Sequence, residues 1–114
     1  MKNFEQIRAK NALEWKGKIG EGKNGGDSVA KKVPVMILDN GIIATAAFAL
    51  EKDVGYENVF NAVINHLADS ELNLLPGKMG LRDFIPYLTQ IQSNELRLIT
   101  TEAMAYLNYL RRFS

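Results

Sequence analysis

The sequence predicts an all-α fold, a compact single-domain bundle of five to seven helices that spans residues 1–114. Apolar residues recur every three or four positions along most of the chain, which is the period of a helix that faces a core. No convincing run alternates between apolar and polar residues as a half-buried strand would. With 114 residues, of which 46% are hydrophobic and 24% charged, the chain has the size and composition of one globular domain.

The first predicted helix begins after Asn3 and ends at Gly17 or Gly20, where glycine interrupts the helical pattern. A flexible Gly-rich loop is predicted next, over about residues 17–27. The apolar and small positions of the first helix are Phe4, Ile7, Ala12 and Trp15.

A second helix is predicted to start at Asp27 or Ser28, because both side chains are good helix N-caps. Its course is ambiguous, since the segment VPVMIL has strand propensity. Pro34 argues against a central strand because it cannot donate a ladder hydrogen bond, and it fits an early or kinked helical turn. The pair Asn40-Gly41 is typical of a helix C-terminus and predicts the next break.

Four further helical segments follow. Residues 42–52 are alanine-rich and predict a buried helix that is apolar on nearly all sides, and residues 56–69 predict an amphipathic helix. Residues 81–91 predict a shorter helix that is interrupted near Pro86. The last helix carries a continuous apolar seam formed by Leu96, Ile99, Ala103, Tyr106, Leu110 and Phe113.

The charges are unevenly distributed although their sum is only +1. Residues 1–32 contain eight lysines or arginines and four acids, and residues 76–114 contain five and three. Residues 39–75 contain one lysine and six acids. If the two basic ends meet in space, they form a surface that attracts phosphates; otherwise these charges are solvated helix faces.

The segment GKIGEGKNGGDS, residues 17–28, matches the spacing of two nucleotide-binding motifs. Both motifs need a strand before the glycines, and here a helix is predicted instead. In addition, Asn24 stands where a phosphate loop needs a serine or threonine hydroxyl. The segment is therefore interpreted as a flexible basic connector. The two matches are Gly17-x-x-x-x-Gly22-Lys23 and Gly20-x-Gly22-x-x-Gly25.

The residue types that carry catalysis are scarce. The chain has no cysteine, which excludes disulfides, thiolate metal sites and cysteine nucleophiles. His66 is the single histidine, and its apolar neighbours favour a helix-surface role or a satisfied position in the core. No serine has a local histidine partner. The sequence therefore predicts a protein that is not an enzyme and needs neither a metal nor a cofactor.

No membrane segment is predicted, because the longest apolar stretch, residues 41–50, is far shorter than the ~18 residues that a span needs. The N-terminal residues are polar and lack the apolar core of a signal peptide. These features predict a cytoplasmic protein.

Two segments resemble a known family. Residues 28–52 contain a basic pair, a proline, an apolar pair, Asn-Gly and an alanine and phenylalanine helix, and the chain ends on an aromatic, a basic pair and a phenylalanine. In this order they resemble the small subunit of the type III-B CRISPR RNA-guided effector, the Cmr complex. The residues that carry the resemblance are Lys31, Lys32, Pro34, Met36, Ile37, Asn40, Gly41, Ile42, Phe48, Thr101, Glu102, Ala103, Tyr109, Leu110, Arg111, Arg112 and Phe113.

The resemblance implies a non-catalytic RNA-binding scaffold of antiviral defence. Members of the family stack as a few copies into a short filament beside the guide RNA and its target, and other subunits perform cleavage. The expected partners are other effector subunits, guide RNA, target RNA and further copies of this chain. Two alternatives stay open: the small subunit of a type III-A complex, and a small helical protein–protein adaptor without an RNA role.

A subunit that follows RNA needs a basic stripe along the phosphates and surfaces that join its neighbours. For each cation below, the competing interpretation is a solvated side chain or an internal salt bridge. The candidate RNA-binding residues are Arg8, Lys10, Lys16, Lys31, Lys32, Arg97, Arg111 and Arg112. The candidate subunit contacts, in the acidic middle, are Glu51, Asp53 and Glu57.

Overall fold

The computed structural model describes residues 3–20 and 25–114, and no strand occurs within these ranges. The all-α, single-domain prediction is confirmed. None of the helices in the described ranges is both long and apolar enough to cross a membrane. The helices are α1 (Phe4–Trp15), α2 (Gly26–Val29), α3 (Val33–Asn40), α4 (Ile42–Glu51), α5 (Val54–Leu67), α6 (Leu81–Gln90) and α7 (Ser93–Phe113).

Helix α1 begins where the sequence predicts, because Asn3 and Gln6 form a capping box. The Asn3 side chain accepts a hydrogen bond from the backbone N–H of Gln6 at 2.9 Å, and the Gln6 side chain accepts one from the backbone N–H of Asn3 at 3.0 Å. These bonds satisfy two backbone donors that would otherwise lack partners at the helix start.

The predicted Gly-rich loop lies partly outside the described residues, since these omit 21–24 and with them Lys23 of the phosphate-loop match. On the N-terminal side of this gap, Ile19 is fully buried. Its carbonyl accepts a hydrogen bond at 2.7 Å from the backbone N–H of Gly26, the first residue of α2. A Cβ added to Gly26 would lie 2.3 Å from that same carbonyl oxygen, so this close approach requires glycine.

The ambiguous segment after the loop forms two helices, α2 and α3, rather than one. Pro34 lies in the first turn of α3, where its missing N–H leaves no helical bond unmade. The break predicted at Asn40-Gly41 is confirmed: Gly41 ends α3 and precedes α4 with φ +91° and ψ 160°. Only glycine adopts such a backbone conformation without strain.

Two details of the predicted helices are wrong. Helix α6 continues through Pro86 instead of breaking there. Pro86 cannot donate to the carbonyl of Arg82, but both residues are exposed, so water can bond that carbonyl instead. Helix α4 is not buried on all sides, because Ala47 and Phe48 are exposed. It forms an outer layer of the bundle, against α3, α5 and α6.

Helix α5 is the centre of the bundle and packs against α1, α2, α4, α6 and α7. Helix α7 lies across α1 and α5 and buries the middle of its predicted apolar seam, whereas Leu96 and Phe113 at the ends are half-buried. The largest side chains that these two helices bury completely are Phe60, Ile64, His66, Leu67, Ile99, Tyr106, Leu107 and Leu110.

A charged network within this core joins α1 to α7. The Arg8 guanidinium donates two hydrogen bonds of 2.7 Å to the Glu102 carboxylate, Nε to Oε2 and Nη2 to Oε1. Glu102 is only 4% exposed. A carboxylate this deep needs partners, and the bidentate geometry of arginine supplies two of its hydrogen bonds.

His66 extends the network from Glu102 to α1 and to the end of α5. Its Nε2 lies 2.9 Å from Oε2 of Glu102, and its Nδ1 lies 2.9 Å from Nδ2 of Asn11. Because the Asn11 amide nitrogen can only donate, Nδ1 accepts and the ring proton sits on Nε2, facing the carboxylate. The second hydrogen of Asn11 goes to Asp69 at 3.0 Å. The imidazole also stacks on Tyr106, with centroids 4.2 Å apart.

The electrostatics of Glu102 follow from this arrangement. Burial alone would raise the pKa of its carboxyl, but the hydrogen bonds from Arg8 and His66 outweigh burial and lower this pKa to about 2. The same hydrogen bond raises the pKa of Arg8. Glu102 is therefore ionised in the folded chain at any pH above about 2.

Removing the charge of Glu102 should destabilise the fold. We expect Glu102→Gln to lower the free energy of unfolding at pH 7 by about 2–4 kcal/mol, because Arg8 keeps its charge without a carboxylate. The folded pKa is depressed from 4.5 to about 2, so the stability from this group is present above pH 4.5 and lost as the pH falls toward 2. Urea unfolding at pH 7 and pH 3 measures both effects, and the gap between wild type and variant should shrink at pH 3.

The matched control for this experiment is Glu14→Gln. Glu14 pairs with Lys10 at 3.8 Å on the exposed side of α1. Exposed pairs contribute little, so this variant should lose less than about 1 kcal/mol at either pH. Equal stability losses in the two variants would contradict a special role for the buried carboxylate.

The corner between α3 and α4 gives a second prediction. No atom outside its chain neighbours lies within 4 Å of a Cβ added to Gly41, so the cost of Gly41→Ala is purely conformational. We expect a loss of about 1–3 kcal/mol from the positive φ. Gly17→Ala is the control, because it also has open space around its Cβ but no positive φ. Thermal unfolding of both variants measures the difference, and equal melting temperatures would contradict the argument.

Candidate nucleic-acid interface

A groove of about 290 Å³ lies between the start of α3 and the C-terminal half of α7. Helix α3 is held there by the buried side chains of Val33 and Ile37, which leaves its outer side free to form one wall. The buried seam of α7 likewise turns the opposite side of that helix toward the groove. The lining residues are Lys31, Pro34, Val35, Met104, Asn108 and Arg111.

The groove brings together two predicted cations that are 80 positions apart in the sequence, Lys31 and Arg111. Both side chains are exposed, and neither forms an ion pair with an acid of the described ranges. The Asn108 side chain accepts hydrogen bonds from Nη2 of Arg111 at 2.8 Å and from Nε of Arg112 at 3.4 Å. Asn108 thereby orients Arg111 within the groove.

Arg111 and Arg112 lie in the last turn of α7. The C-terminal end of a helix dipole favours positive charge, which is a second reason for arginine at these positions. That effect stabilises the two positive charges in this turn and does not require a bound anion.

Arg97 and Thr101 are exposed on α7 and continue the polar surface away from the groove. Arg97 is 14 residues before Arg111, which places it about 21 Å along the helix axis. A ligand that touches both residues must therefore be extended. Lys32 is exposed in the turn before α3, next to Lys31.

The N-terminal candidates are not brought to the groove. Arg8 is engaged by Glu102 inside the bundle, which is the internal salt bridge that competes with RNA binding for this residue. Lys10 pairs with Glu14 at 3.8 Å. Lys16 lines a separate hollow at the end of α1, together with Phe113 and other residues.

The acidic candidates Glu51, Asp53 and Glu57 are all exposed where α4 passes into α5. Asp53 occupies the N-cap position of α5 but makes no side-chain capping bond. Between these acids, Val54 is 63% exposed. Lys52 is also exposed there, between Glu51 and Asp53, so the corner carries a net negative charge around an apolar centre.

The apolar lining residues of the groove, Pro34, Val35 and Met104, were not among the candidate RNA-binding residues. Nothing in the local pattern marks them as neighbours, because the groove arises from the packing of helices that are distant in the chain. Val35 lies off the buried face of α3 and is 58% exposed. An apolar residue at such a position is the one sequence signal that could have indicated a contact surface.

The groups that line the groove can bind an anion. Lysine attracts phosphate as a point charge, and arginine can donate to two phosphate oxygens at once. The apolar lining residues, Pro34, Val35 and Met104, can contact a sugar or a base. Elsewhere in the described ranges, no three histidine, aspartate or glutamate side chains come close enough together to hold a metal ion.

Comparison with known proteins identifies the family. Residues 4–114 match the family model described as "CRISPR-associated protein (Cas_Cmr5)". A search of the curated proteins finds no match. The match covers both segments that carry the resemblance noted in the sequence, and it confirms that resemblance. The chain therefore belongs to the Cas_Cmr5 family of CRISPR-associated proteins, the small-subunit family of the type III-B Cmr complex.

Proposed function

We propose that this chain is a non-catalytic small subunit that contacts the backbone of guide or target RNA and stacks with further copies of itself. Its family makes it a subunit of the Cmr complex, and other CRISPR effector subunits are its partners. Contact with RNA and stacking with further copies are proposed in addition to this membership.

The observation that carries the RNA proposal is the convergence of Lys31 and Arg111 on one groove with no acid to neutralise them. Most lysines and arginines on a protein surface are solvated, and their presence alone does not indicate a binding site. Here two distant segments place cations around a concave surface, Asn108 holds one of them in position, and α7 extends the polar surface toward Arg97. A single-stranded backbone follows such a surface without reading its sequence.

The geometry of His66 supports a non-catalytic role. The ring is fully buried, and both of its nitrogens are engaged, by Asn11 and by Glu102. A general base must reach the proton that it removes, and this histidine faces only the core. We propose that RNA cleavage belongs to other subunits of the complex.

The acidic corner supports the stacking proposal. Glu51, Asp53 and Glu57 attract a basic surface, and the exposed Val54 supplies an apolar contact at their centre. The partner surface on the neighbouring copy is therefore basic and lies outside the groove, whose cations are assigned to RNA. Contact between two different surfaces of identical copies is head-to-tail and does not close, so it extends into a filament.

The groove can be tested on the full chain. We expect Lys31→Ala/Arg111→Ala to weaken binding of single-stranded RNA by a similar factor for any sequence, because phosphate contacts are sequence-blind. The slope of log affinity against log salt should become shallower by about 1.4, or about 0.7 for each lost phosphate contact. Fluorescence anisotropy of labelled RNA at several salt concentrations measures both.

The control is Lys52→Ala/Arg82→Ala, which removes the same net charge from two exposed positions elsewhere. If the two double variants lose affinity equally, net charge explains binding and the groove does not. If the wild type binds no RNA and the groove variant no longer holds another Cmr subunit that the wild type holds, the groove is a protein-binding site. The exposed Val35 and Leu38 of α3 favour that second function, a helical adaptor.

The acidic corner gives a separate prediction. We expect Glu51→Lys/Glu57→Lys to reduce the number of copies of this subunit in reconstituted Cmr complexes at low salt, because like charges then face each other. Native mass spectrometry counts the copies. The control Glu71→Lys/Asp83→Lys reverses two exposed acids elsewhere, one of them also in the first turn of a helix. An unchanged copy number in both would remove the acidic corner from the interface.

A further inference from the structure

A second cavity, of about 210 Å³, lies where the end of α1 meets α5 and the segment before α6. It shares no residue with the groove between α3 and α7. The function proposed above makes no use of it. Its lining residues are Trp15, Asn61, Ile64, Asn65, Lys78 and Met79.

One wall of this cavity is aromatic. Trp15 is half-buried, so part of its indole is fixed against the core while another part faces the cavity. The Lys18 ammonium lies over the same ring, 5.1 Å from its centroid. Lys78 is exposed at the edge of the cavity. The cavity thus combines a flat aromatic group with a cation, Lys78, at its edge.

The opposite wall carries two amides. Asn61 and Asn65 are four residues apart on α5 and therefore lie on one side of that helix. Both are half-buried, and neither side chain has a hydrogen-bond partner in the part of the chain that the structure describes. Their amide atoms are accessible, because no buried side-chain nitrogen or oxygen of the described residues lacks a hydrogen-bond partner.

These amides do not serve the stability of the helix. Asparagine is a poorer helix former than alanine, and a half-buried amide without a partner adds no hydrogen bond to the fold. Each amide instead presents donors and an acceptor to the cavity. Together with the indole, they provide a planar hydrophobic surface and hydrogen-bonding groups beside it.

We infer that this cavity receives one unstacked nucleobase of single-stranded RNA. The base stacks on Trp15, its edge forms hydrogen bonds with Asn61 and Asn65, and Lys78 attracts the adjoining phosphate. The cavity is smaller than the roughly 300–1,000 Å³ of sites for larger ligands, which fits a single base. The inference rests on the proposed RNA binding, but it assigns recognition of a base to residues outside the phosphate groove.

The sequence offers a reporter for this site, because Trp15 is the only tryptophan among the 114 residues. We would titrate the full chain with two single-stranded RNAs of equal length, oligoadenylate and an abasic strand with the same backbone. Anisotropy of end-labelled strands reports binding, and tryptophan emission with unlabelled strands reports stacking. We expect oligoadenylate to quench the emission and the abasic strand to bind without quenching it.

The variant Asn61→Ala/Asn65→Ala keeps the reporter and favours helix formation, so it should fold. We expect its affinity for oligoadenylate to fall about fivefold or more, while its affinity for the abasic strand is unchanged. The matched control is Asn40→Ala/Asn94→Ala, which replaces two exposed asparagines on other helices and should leave both affinities unchanged.

The outcomes separate this inference from the proposed function. Binding of both strands without any change in emission would overturn the base site and leave the phosphate groove standing. Equal quenching by the abasic strand would also overturn the base site. Base-dependent quenching that survives Lys31→Ala/Arg111→Ala with undiminished affinity would support the cavity and count against the groove. If the RNAs neither bind nor quench the emission, the base site and the phosphate groove are both overturned. The same holds if a purified Cmr subunit quenches the emission and RNA does not.

Discussion

The buried carboxylate of Glu102 is the constraint on which the arrangement of α1, α5 and α7 depends. A charge 4% exposed is tolerable only if its partners arrive in fixed positions. Arg8 comes from α1 and bonds both oxygens of the carboxylate, and His66 comes from α5 and bonds Oε2. A shift of α7 by one turn would break the hydrogen bonds of Glu102 to both Arg8 and His66. Apolar packing alone accepts many such shifts, whereas this network selects one.

The fixed position of α7 matters for the candidate interface. Arg111 lies nine residues after Glu102 on the same helix, so about 13–14 Å of continuous helix separates the anchored carboxylate from the groove. On the other wall, Lys31 stands between Ala30 and Val33, both fully buried. The cations thus project from elements that the core holds rigidly. A ligand that binds them meets a surface that is already formed and does not have to order it.

Local pattern and tertiary pairing explain what the sequence could and could not predict. The apolar seam of α7, the cap at Asn3 and the glycine corner at Gly41 depend on neighbours within a few residues, so all could be predicted. The partner of Arg8 lies 94 positions away, and nothing in the local sequence distinguishes this arginine from a solvated one. The same limit applies to the groove, whose two walls are distant in the chain. The sequence identifies the candidate cations, but it does not show which of them lie on the same surface.

The two proposed sites are related by a third hollow at the ends of α1 and α7. Lys16 lies in its wall beside Phe113, and the hollow is also lined by Asp27, whose side chain accepts a hydrogen bond from the backbone of Ser28. Lys16 adjoins Trp15 in the chain, and Phe113 follows Arg111 by two residues. A strand that occupied both sites would therefore pass Lys16, with its phosphates at the groove and one base turned into the cavity. In that arrangement the groove supplies attraction independent of sequence, and the cavity fixes the register of the strand on each copy of the subunit.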